Sequence, residues 1–349
     1  MTEQKSIVQA FVKLGSFITE FVEKQDHPEI DGLTDFSEVL QKAQHQNGWF
    51  TVENIIIALK NWGKLLTKTH LEQWLKKYPF NSNLAPKTIG IVMAGNIPLV
   101  GFHDFLCVLL SGNQVLVKLS SNDTVLLPFL TNYLIEQEPL LADRIQFTEE
   151  KFENFGAVIA TGSNNTSRYF EYYFGKYPSI IRKNRNSVAV LTGHESEAEL
   201  EALGEDIFRY YGLGCRNVSK IYVPKNYDFD KLFNSVYGFK DIIHQHKYAN
   251  NYDYNKAVYL MSNMKILDNG FLILKEGESL SSPIASLFYE YYEDVPSLIE
   301  KLQEYEAEIQ CVVSKGFMKS EIAFGQTQNP SLDDYADGID TMDFLLSLK

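Results

Sequence analysis

The amino-acid sequence predicts an α/β protein with a doubly wound parallel sheet. Short apolar, β-branched runs recur along the middle of the chain, and a small-residue turn and a helical pattern follow them. The clearest unit is a strand at 89–93, an amphipathic stretch at 99–110 and a second strand at 114–118. Pro98 suits the first turn of that helix, where a missing N–H costs little. A strand–helix–strand unit favours parallel pairing of its strands.

Length, charge and cysteine content limit the class of protein. With 349 residues, 45% of them hydrophobic, the chain is long enough for two domains. Its net charge of −13 argues against nonspecific nucleic-acid binding, which needs a basic surface. Three widely spaced cysteines without a CxxC pair argue against disulfides or a metal site and favour a reducing, cytoplasmic compartment. We expect no membrane span and no signal segment.

The remaining elements are predicted from the same patterns. Helical periodicity at 8–21 and 52–66 predicts two helices in an N-terminal segment. Strands are expected at 156–160 and 187–191. Thr161-Gly162-Ser163 follows the first of these and opens a helix, where unpaired N–H groups can receive an anion. A Glu-rich helix then leads from Glu195 to about Tyr211.

Cys215 is the strongest candidate for chemistry. It lies between Gly214 and Arg216 on a predicted turn, ahead of a β-like apolar run. Glycine allows a sharp turn and close approach to a ligand, and a nearby cation favours the reactive thiolate. The alternative is a structural cysteine, a description that fits Cys107 in its apolar helix. The pattern therefore predicts a nucleophile at Cys215.

Four ordered motifs resemble those of aldehyde dehydrogenases. In that family a strand leads into Asn-aromatic-Pro-Leu and the next strand ends in Lys-Pro-Ser; here Asn96-Ile97-Pro98-Leu99 and Lys118-Leu119-Ser120 stand at a similar interval. A Thr-Gly-Ser follows at 161–163. A glycine three residues before the cysteine and a basic residue five after it correspond to Gly212 and Lys220. The resemblance covers roughly residues 85–330.

The resemblance implies an aldehyde-dehydrogenase-like fold and a homodimer. The expected organisation is a helical N-terminal segment at 1–80, a nucleotide-binding domain at 81–195, a catalytic α/β domain at 196–325 and a tail at 326–349. Within the superfamily, the chain is most similar to the acyl-CoA reductases related to the fatty-acid reductase of bacterial bioluminescence.

Each motif receives a role from the resemblance. Cys215 would attack an acyl carbonyl and form a thioester, and Asn96 with the backbone N–H of Cys215 would stabilise the oxyanion. The alternative for Asn96 is a turn-forming residue. Lys118, Ser120 and Ser121 would lie by the adenosine ribose, and Thr161, Gly162 and Ser163 by the phosphates. The alternative for Lys118 is a solvated strand end.

Two departures from the family pattern refine the expectation. Ser121 stands where NAD-preferring members often carry glutamate, so we expect NADPH to be accepted, with NADH as the alternative. Hydrolytic members carry a water-activating glutamate at the place of Arg182. Without that base the thioester should persist for another partner, so coenzyme A is the expected acyl carrier. The basic residues Arg182, Lys183 and Arg185 either bind its phosphates or form a solvated turn.

The sequence thus predicts an NAD(P)H-dependent reductase that converts an acyl-CoA or acyl-protein thioester to an aldehyde through Cys215. Two other functions stay open: a Cys-dependent acyltransferase or thioesterase without hydride transfer, and a noncatalytic relative that binds acyl-CoA and regulates.

Overall fold

Two compact units make up the structure, a computed structural model that describes residues 3–24, 33–80 and 85–348. The first unit runs to Lys183 and includes the C-terminal segment from Ser331; the second comprises Asn184–Pro330. None of the helices in the described ranges is long and apolar enough to cross a membrane. The predicted α/β class with parallel sheets is confirmed.

The first unit is built on a five-stranded parallel sheet. Its strands are β1 (Thr88–Val92), β2 (Gln114–Lys118), β3 (Ile145–Phe147), β4 (Ala157–Thr161) and β5 (Ser179–Arg182). They lie in the order β3-β2-β1-β4-β5, all parallel. The three middle residues of β1 and of β2 are buried, as expected for apolar strands covered on both faces. Because the chain crosses from β3 to β4 on the other side of β1, the sheet has a topological switch point between β1 and β4.

Within the described ranges seven α-helices precede the second unit, and the predicted helical N-terminal segment is confirmed. They are α1 (Glu3–Glu23), α2 (Leu33–Gln46), α3 (Val52–Leu65), α4 (Lys68–Leu75), α5 (Phe102–Leu110), α6 (Leu126–Gln137) and α7 (Asn164–Phe174). The N-terminal segment holds four helices where periodicity predicted two, because α2 and α4 carry few apolar residues. Phe11 and Leu14 of α1 lie in the same core as β1 and α5. The expected boundary at 80/81 borders residues 81–84, which lie outside the described residues.

The second unit contains a six-stranded sheet. Its strands are β6 (Asn186–Val190), β7 (Val218–Pro224), β8 (Ile266–Asp268), β9 (Ile273–Glu276), β10 (Ser286–Tyr292) and β11 (Ile309–Val313). They lie in the order β11-β6-β7-β10-β9-β8, and only the β8–β9 pair is antiparallel. The helices are α8 (Glu197–Phe208), α9 (Phe229–Ser235), α10 (His246–Met261) and α11 (Val295–Glu304). A capping box between Ser196 and Glu199 starts α8, close to the predicted position.

The structure divides the chain at other places than residues 195 and 325. The strand expected at 187–191 was assigned to the nucleotide-binding domain, but β6 pairs with β7 and β11 and so belongs to the second sheet. The unit boundary therefore falls between Lys183 and Asn184. The expected tail is also divided, because Ser331 begins a return to the first unit. There the last helix, α12 (Thr341–Ser347), buries Met342 and Leu345 in the core.

The loop between β1 and α5 departs from the predicted helix start. Leu99 has a φ of 57°, in the left-handed region, so it cannot belong to a helix that begins near Pro98. The helix begins instead at Phe102, after Gly101. Asp123 lies beside this loop with 8% of its surface exposed. Burial raises the pKa of its carboxyl to about 6, although the N–H groups of Leu99 and Leu126 oppose the shift.

A buried ion pair joins three elements of the first unit. Arg182 at the end of β5 forms a two-pronged ion pair with Asp104 of α5, and its Nη2 also donates to the Thr341 hydroxyl of α12 at 3.0 Å. Each of the two charged residues is 5% exposed. The expected basic cluster is therefore absent as a unit. Lys183 pairs with Glu171, and Arg185 donates to the backbone oxygens of Glu306 and Ile309.

Removing one partner of this ion pair should destabilise the protein strongly. Arg182→Gln leaves Asp104 buried without its cation, so we expect the free energy of unfolding to fall by about 3–5 kcal/mol. Urea unfolding followed by circular dichroism measures this loss. The matched control is Lys183→Gln, since the Lys183–Glu171 pair is exposed and should contribute only about 0–1 kcal/mol. Equal losses in the two variants would show that the buried pair is not a main support of the first unit.

The carboxyl of Asp123 should make stability depend on pH. Its pKa is raised from 3.8 to about 6, so the folded state holds this proton more tightly than the unfolded state. This tighter binding stabilises the folded state fully below pH 3.8, and the stabilisation is lost as the pH rises through about 6. Asp123→Asn should therefore raise the free energy of unfolding by up to about 3 kcal/mol at pH 8, with little gain at pH 4. Unfolding curves at both pH values test this, with the exposed Asp35→Asn as control; a gain that is the same at pH 4 and pH 8 would contradict it.

Candidate functional site

The candidate site residues of the first unit, both the predicted catalytic residue Asn96 and the nucleotide-binding residues, lie at one edge of its sheet. Asn96 follows β1, Lys118 ends β2, and Thr161-Gly162-Ser163 joins the end of β4 to α7. Because parallel strands present their carboxyl ends at the same edge, the structure brings these three groups to one edge. Ligands of doubly wound sheets bind at the carboxyl edge beside the switch point, which here lies between β1 and β4.

The Asn96 loop is held by contacts on both sides. The buried Asn47, at the end of α2, donates from Nδ2 to the Gly95 carbonyl oxygen at 3.2 Å. On the other side Gly95 packs directly on Ser120, and a Cβ at Gly95 would lie 2.5 Å from the Ser120 hydroxyl oxygen. Ser120 therefore supports the Asn96 loop. Asn96 itself is half-buried.

Lys118 is fixed by backbone oxygens and is not a freely solvated strand end. Its ammonium group donates to the carbonyl oxygens of Glu149 and Glu150 at 2.9 and 3.2 Å. A lysine ammonium has three N–H donors, so this arrangement orients the third. Ser121, three residues further on, is exposed.

Thr161-Gly162-Ser163 forms the start of α7, as predicted. Ser163 is the N-cap, and its hydroxyl accepts the Thr166 N–H at 3.2 Å. A Cβ at Gly162 would lie 2.9 Å from the Phe170 ring and 3.0 Å from Thr166, so a side chain there would crowd the first turn of the helix. The first N–H groups of an eleven-residue helix thus lie at the same edge as Lys118.

Cys215 belongs to the second unit and lies on the turn before β7. It is exposed, whereas Cys107 and Cys311 are buried. Burial raises the pKa of the Cys107 thiol well above its usual value, so the reactive form is disfavoured there. The buried Ser187, in β6, donates its hydroxyl to the Cys215 carbonyl oxygen at 3.0 Å. Among the three cysteines, Cys215 alone combines exposure with a fixed backbone.

Two buried polar residues near Cys215 were not identified from the sequence. The Asn217 side chain bonds three backbone groups around the turn, and the Asp206 carboxylate accepts three donors from residues 325–327. Burial raises the pKa of Asp206, and those donors oppose the shift. An asparagine two residues after the cysteine was a usable signal, because Asn side chains often bond the backbone of turns. No sequence signal distinguished Asp206, because it is one of several acidic residues in a predicted helix.

No metal centre is evident at this site. The described ranges contain no group of three or more His, Cys, Asp or Glu side chains that could hold a metal ion.

Comparisons with known proteins identify the family of the chain. The family model of the acyl-CoA reductases (LuxC) matches residues 16–236, more than half of the chain. The long-chain acyl-protein thioester reductase 2 of Photobacterium leiognathi is 22% identical over 236 residues, which are 62% of this chain and 48% of that protein. The match therefore spans about half of that relative's length.

Solved structures show the same fold at low identity. An aldehyde dehydrogenase from Sinorhizobium meliloti superposes with a TM-score of 0.65 at 10% identity, covering 94% of this chain and 72% of its own. Aldehyde dehydrogenase 21 from Physcomitrella patens gives 0.64 at 12% identity, covering 97% and 87%. The predicted aldehyde-dehydrogenase-like fold is thus confirmed, and the chain belongs to the acyl-CoA reductase (LuxC) family.

Proposed function

We propose that this protein reduces an acyl thioester to an aldehyde, with Cys215 as the acyl acceptor. The observation that carries the proposal is the exposed thiol of Cys215 on a turn that buried side chains hold in place. A nucleophile needs access to its substrate and a defined direction, and this turn provides both.

The reaction then has two halves at Cys215. The thiolate attacks the donor thioester, a new C–S bond forms, and the donor thiol leaves with the proton that Cys215 lost. In the second half, the carbonyl carbon of the Cys215 thioester accepts a hydride and the C–S bond breaks. The aldehyde is released, and the Cys215 side chain is again a thiolate. A bound, reduced nicotinamide dinucleotide supplies the hydride. Asn96 is the proposed side-chain donor to the oxyanion, a role that rests on sequence resemblance.

Two features of the first unit support the proposal that it binds a dinucleotide. The glycine at 162 keeps the first turn of α7 uncrowded, so its N–H groups and positive helix end are available to a phosphate. Lys118, oriented by the Glu149 and Glu150 carbonyl oxygens, is the proposed ribose ligand. Ser121 adds no negative charge at this edge, which favours NADPH.

The environment of Arg182 supports reduction over hydrolysis. This residue stands where hydrolytic aldehyde dehydrogenases carry their water-activating glutamate, and its side chain is buried against Asp104. A guanidinium in an ion pair cannot take a proton from water, so the position offers no general base. A thioester on Cys215 would therefore be hydrolysed slowly and would remain available for reduction.

The donor is a thioester of coenzyme A or of a carrier protein. The family is named for acyl-CoA, and the curated relative is named for an acyl-protein thioester. Both donors present the same C–S bond to Cys215, so the mechanism is common to them.

The first test is the oxidation of NADPH and NADH, followed at 340 nm with short- to long-chain acyl-CoAs. We expect oxidation that requires an acyl-CoA and is abolished in Cys215→Ala, since that variant lacks the acyl acceptor. The matched control is Cys311→Ala, a buried cysteine whose loss should leave the rate within about threefold.

Intact-mass measurement of the acyl-enzyme separates the other functions. Acylation of Cys215 without nucleotide oxidation would replace the proposal by an acyltransferase or thioesterase. An unmodified Cys215 and no turnover, with acyl-CoA and with an acylated carrier protein, would indicate a noncatalytic binding protein.

The preference for NADPH should depend on Ser121. In Ser121→Glu a carboxylate would face the 2′-phosphate, so we expect the KM for NADPH to rise about tenfold or more relative to that for NADH. Ser121→Ala is the control, because it removes the hydroxyl without adding charge. Steady-state kinetics with both nucleotides measures the ratio; an unchanged ratio in Ser121→Glu would place the 2′-phosphate elsewhere.

A further inference from the structure

The backbone before Cys215 takes an unfavourable conformation. Three successive residues, Tyr210, Tyr211 and Gly212, have φ values of 52°, 58° and 74°. Tyrosine rarely adopts this left-handed region, and each such residue persists only when its surroundings enforce it. The turn that carries Cys215 must therefore be held by other parts of the second unit.

The Asn217 side chain provides the first support. It is 3% exposed, and its Oδ1 accepts the Gly214 N–H at 2.9 Å. Its Nδ2 donates to the carbonyl oxygens of Asp206 and Arg209, at the end of α8, at 3.0 and 2.8 Å. The Asn217 N–H also donates to the Gly214 carbonyl oxygen at 3.0 Å, which closes the turn around Cys215.

A carboxamide is the group that this position requires. It must accept one hydrogen bond from an N–H and donate two to carbonyl oxygens. A carboxylate at Asn217 would accept the first but would face the other two oxygens with negative charge. An apolar residue would fill the same volume but would leave these three backbone groups without the partner that Asn217 provides.

Asp206 provides the second support, from the same helix. Its carboxylate is fully buried and accepts the N–H groups of Gly325 and Thr327 at 2.6 and 3.0 Å and the Thr327 hydroxyl at 2.8 Å. The Thr327 carbonyl oxygen in turn accepts the Arg216 Nε at 2.6 Å. Asp206 thus fixes one hydrogen-bond acceptor of Arg216, the cation that directly follows Cys215.

We infer that Asn217 is a positioning residue for Cys215, with Asp206 as its second support through Thr327 and Arg216. Asn217 sets the path of the chain on both sides of the thiol, and Asp206 sets where the neighbouring guanidinium lies. The inference rests on the proposed role of Cys215 as acyl acceptor and adds the residues that direct it.

Alkylation of Cys215 by iodoacetamide tests the inference on the protein alone, without any nucleotide or thioester. In Asn217→Asp we expect alkylation to slow about 10- to 100-fold at pH 8 and its midpoint to move to higher pH, because the new carboxylate disfavours the thiolate. Asp206→Asn should slow alkylation by weakening the support of residues 325–327, without the upward shift of the midpoint that a new carboxylate causes. In the reductase assay both variants should lose kcat, with the KM for acyl-CoA within about threefold of that of the unmodified protein.

The matched control is Asn255→Asp. Asn255 is also buried, in α10, and its Nδ2 donates to the Ile284 carbonyl oxygen at 2.9 Å, so the variant should lose stability and keep the normal alkylation of Cys215. If Asn217→Asp does not fold, Asn217→Ser keeps one donor and one acceptor, and should give a smaller change of the same sign. Folded Asn217 variants that alkylate like the unmodified protein would overturn the inference. Absence of reductase activity in the unmodified protein, with the alkylation changes present, would instead refute the proposed function alone.

Discussion

The first unit depends on one buried pair of charges. Arg182 ends β5, the last strand before the chain leaves the unit, and Asp104 lies in the otherwise apolar helix α5. Thr341, bonded to the same guanidinium, begins the helix with which the chain returns. Each of the two buried charges is compensated by the other, and removal of either one would leave an uncompensated charge in the core. The pair therefore joins the last strand before the chain leaves the unit, the core helix α5 and the returning helix α12 at one point.

Each unit holds a left-handed backbone segment with buried polar side chains. In the first unit Leu99 adopts the left-handed region beside the buried Asp123. In the second, Tyr210 and Tyr211 do so beside Asn217. Backbone in such conformations does not satisfy its own N–H and C=O groups through a helix or sheet, so side chains must do so from within the protein. In the second unit Asn217 bonds backbone groups on either side of the left-handed residues, the Arg209 carbonyl oxygen and the Gly214 N–H.

What the sequence predicted well is local, and what it missed is long-range. The strands at 89–93 and 114–118, the N-cap at Ser163 and the exposed turn at Cys215 all follow from neighbouring residues. The boundary predicted at 195 differs from the division into compact units after Lys183, because β6 pairs with β11, far along the chain. The basic cluster was misinterpreted for the same reason, since Asp104 lies 78 residues before Arg182. A run of charged residues in the sequence does not reveal which distant residues will pair with them in the folded core.

The two units carry separate features that the proposed reduction would use together. An acyltransferase needs an exposed, directed thiol, which the second unit supplies with Asn217 and a strained turn. An acyltransferase does not need a nucleotide site at the carboxyl edge of the first sheet. There Gly162 leaves the start of α7 uncrowded, and two carbonyl oxygens orient Lys118. A binding protein without chemistry needs neither the left-handed backbone before Cys215 nor the buried side chains that support it. Such a backbone is energetically unfavourable and is kept only where the surrounding structure enforces it. Hydride transfer to a cysteine thioester would use both features, which favours the proposed reduction over an acyltransferase or a noncatalytic binding protein.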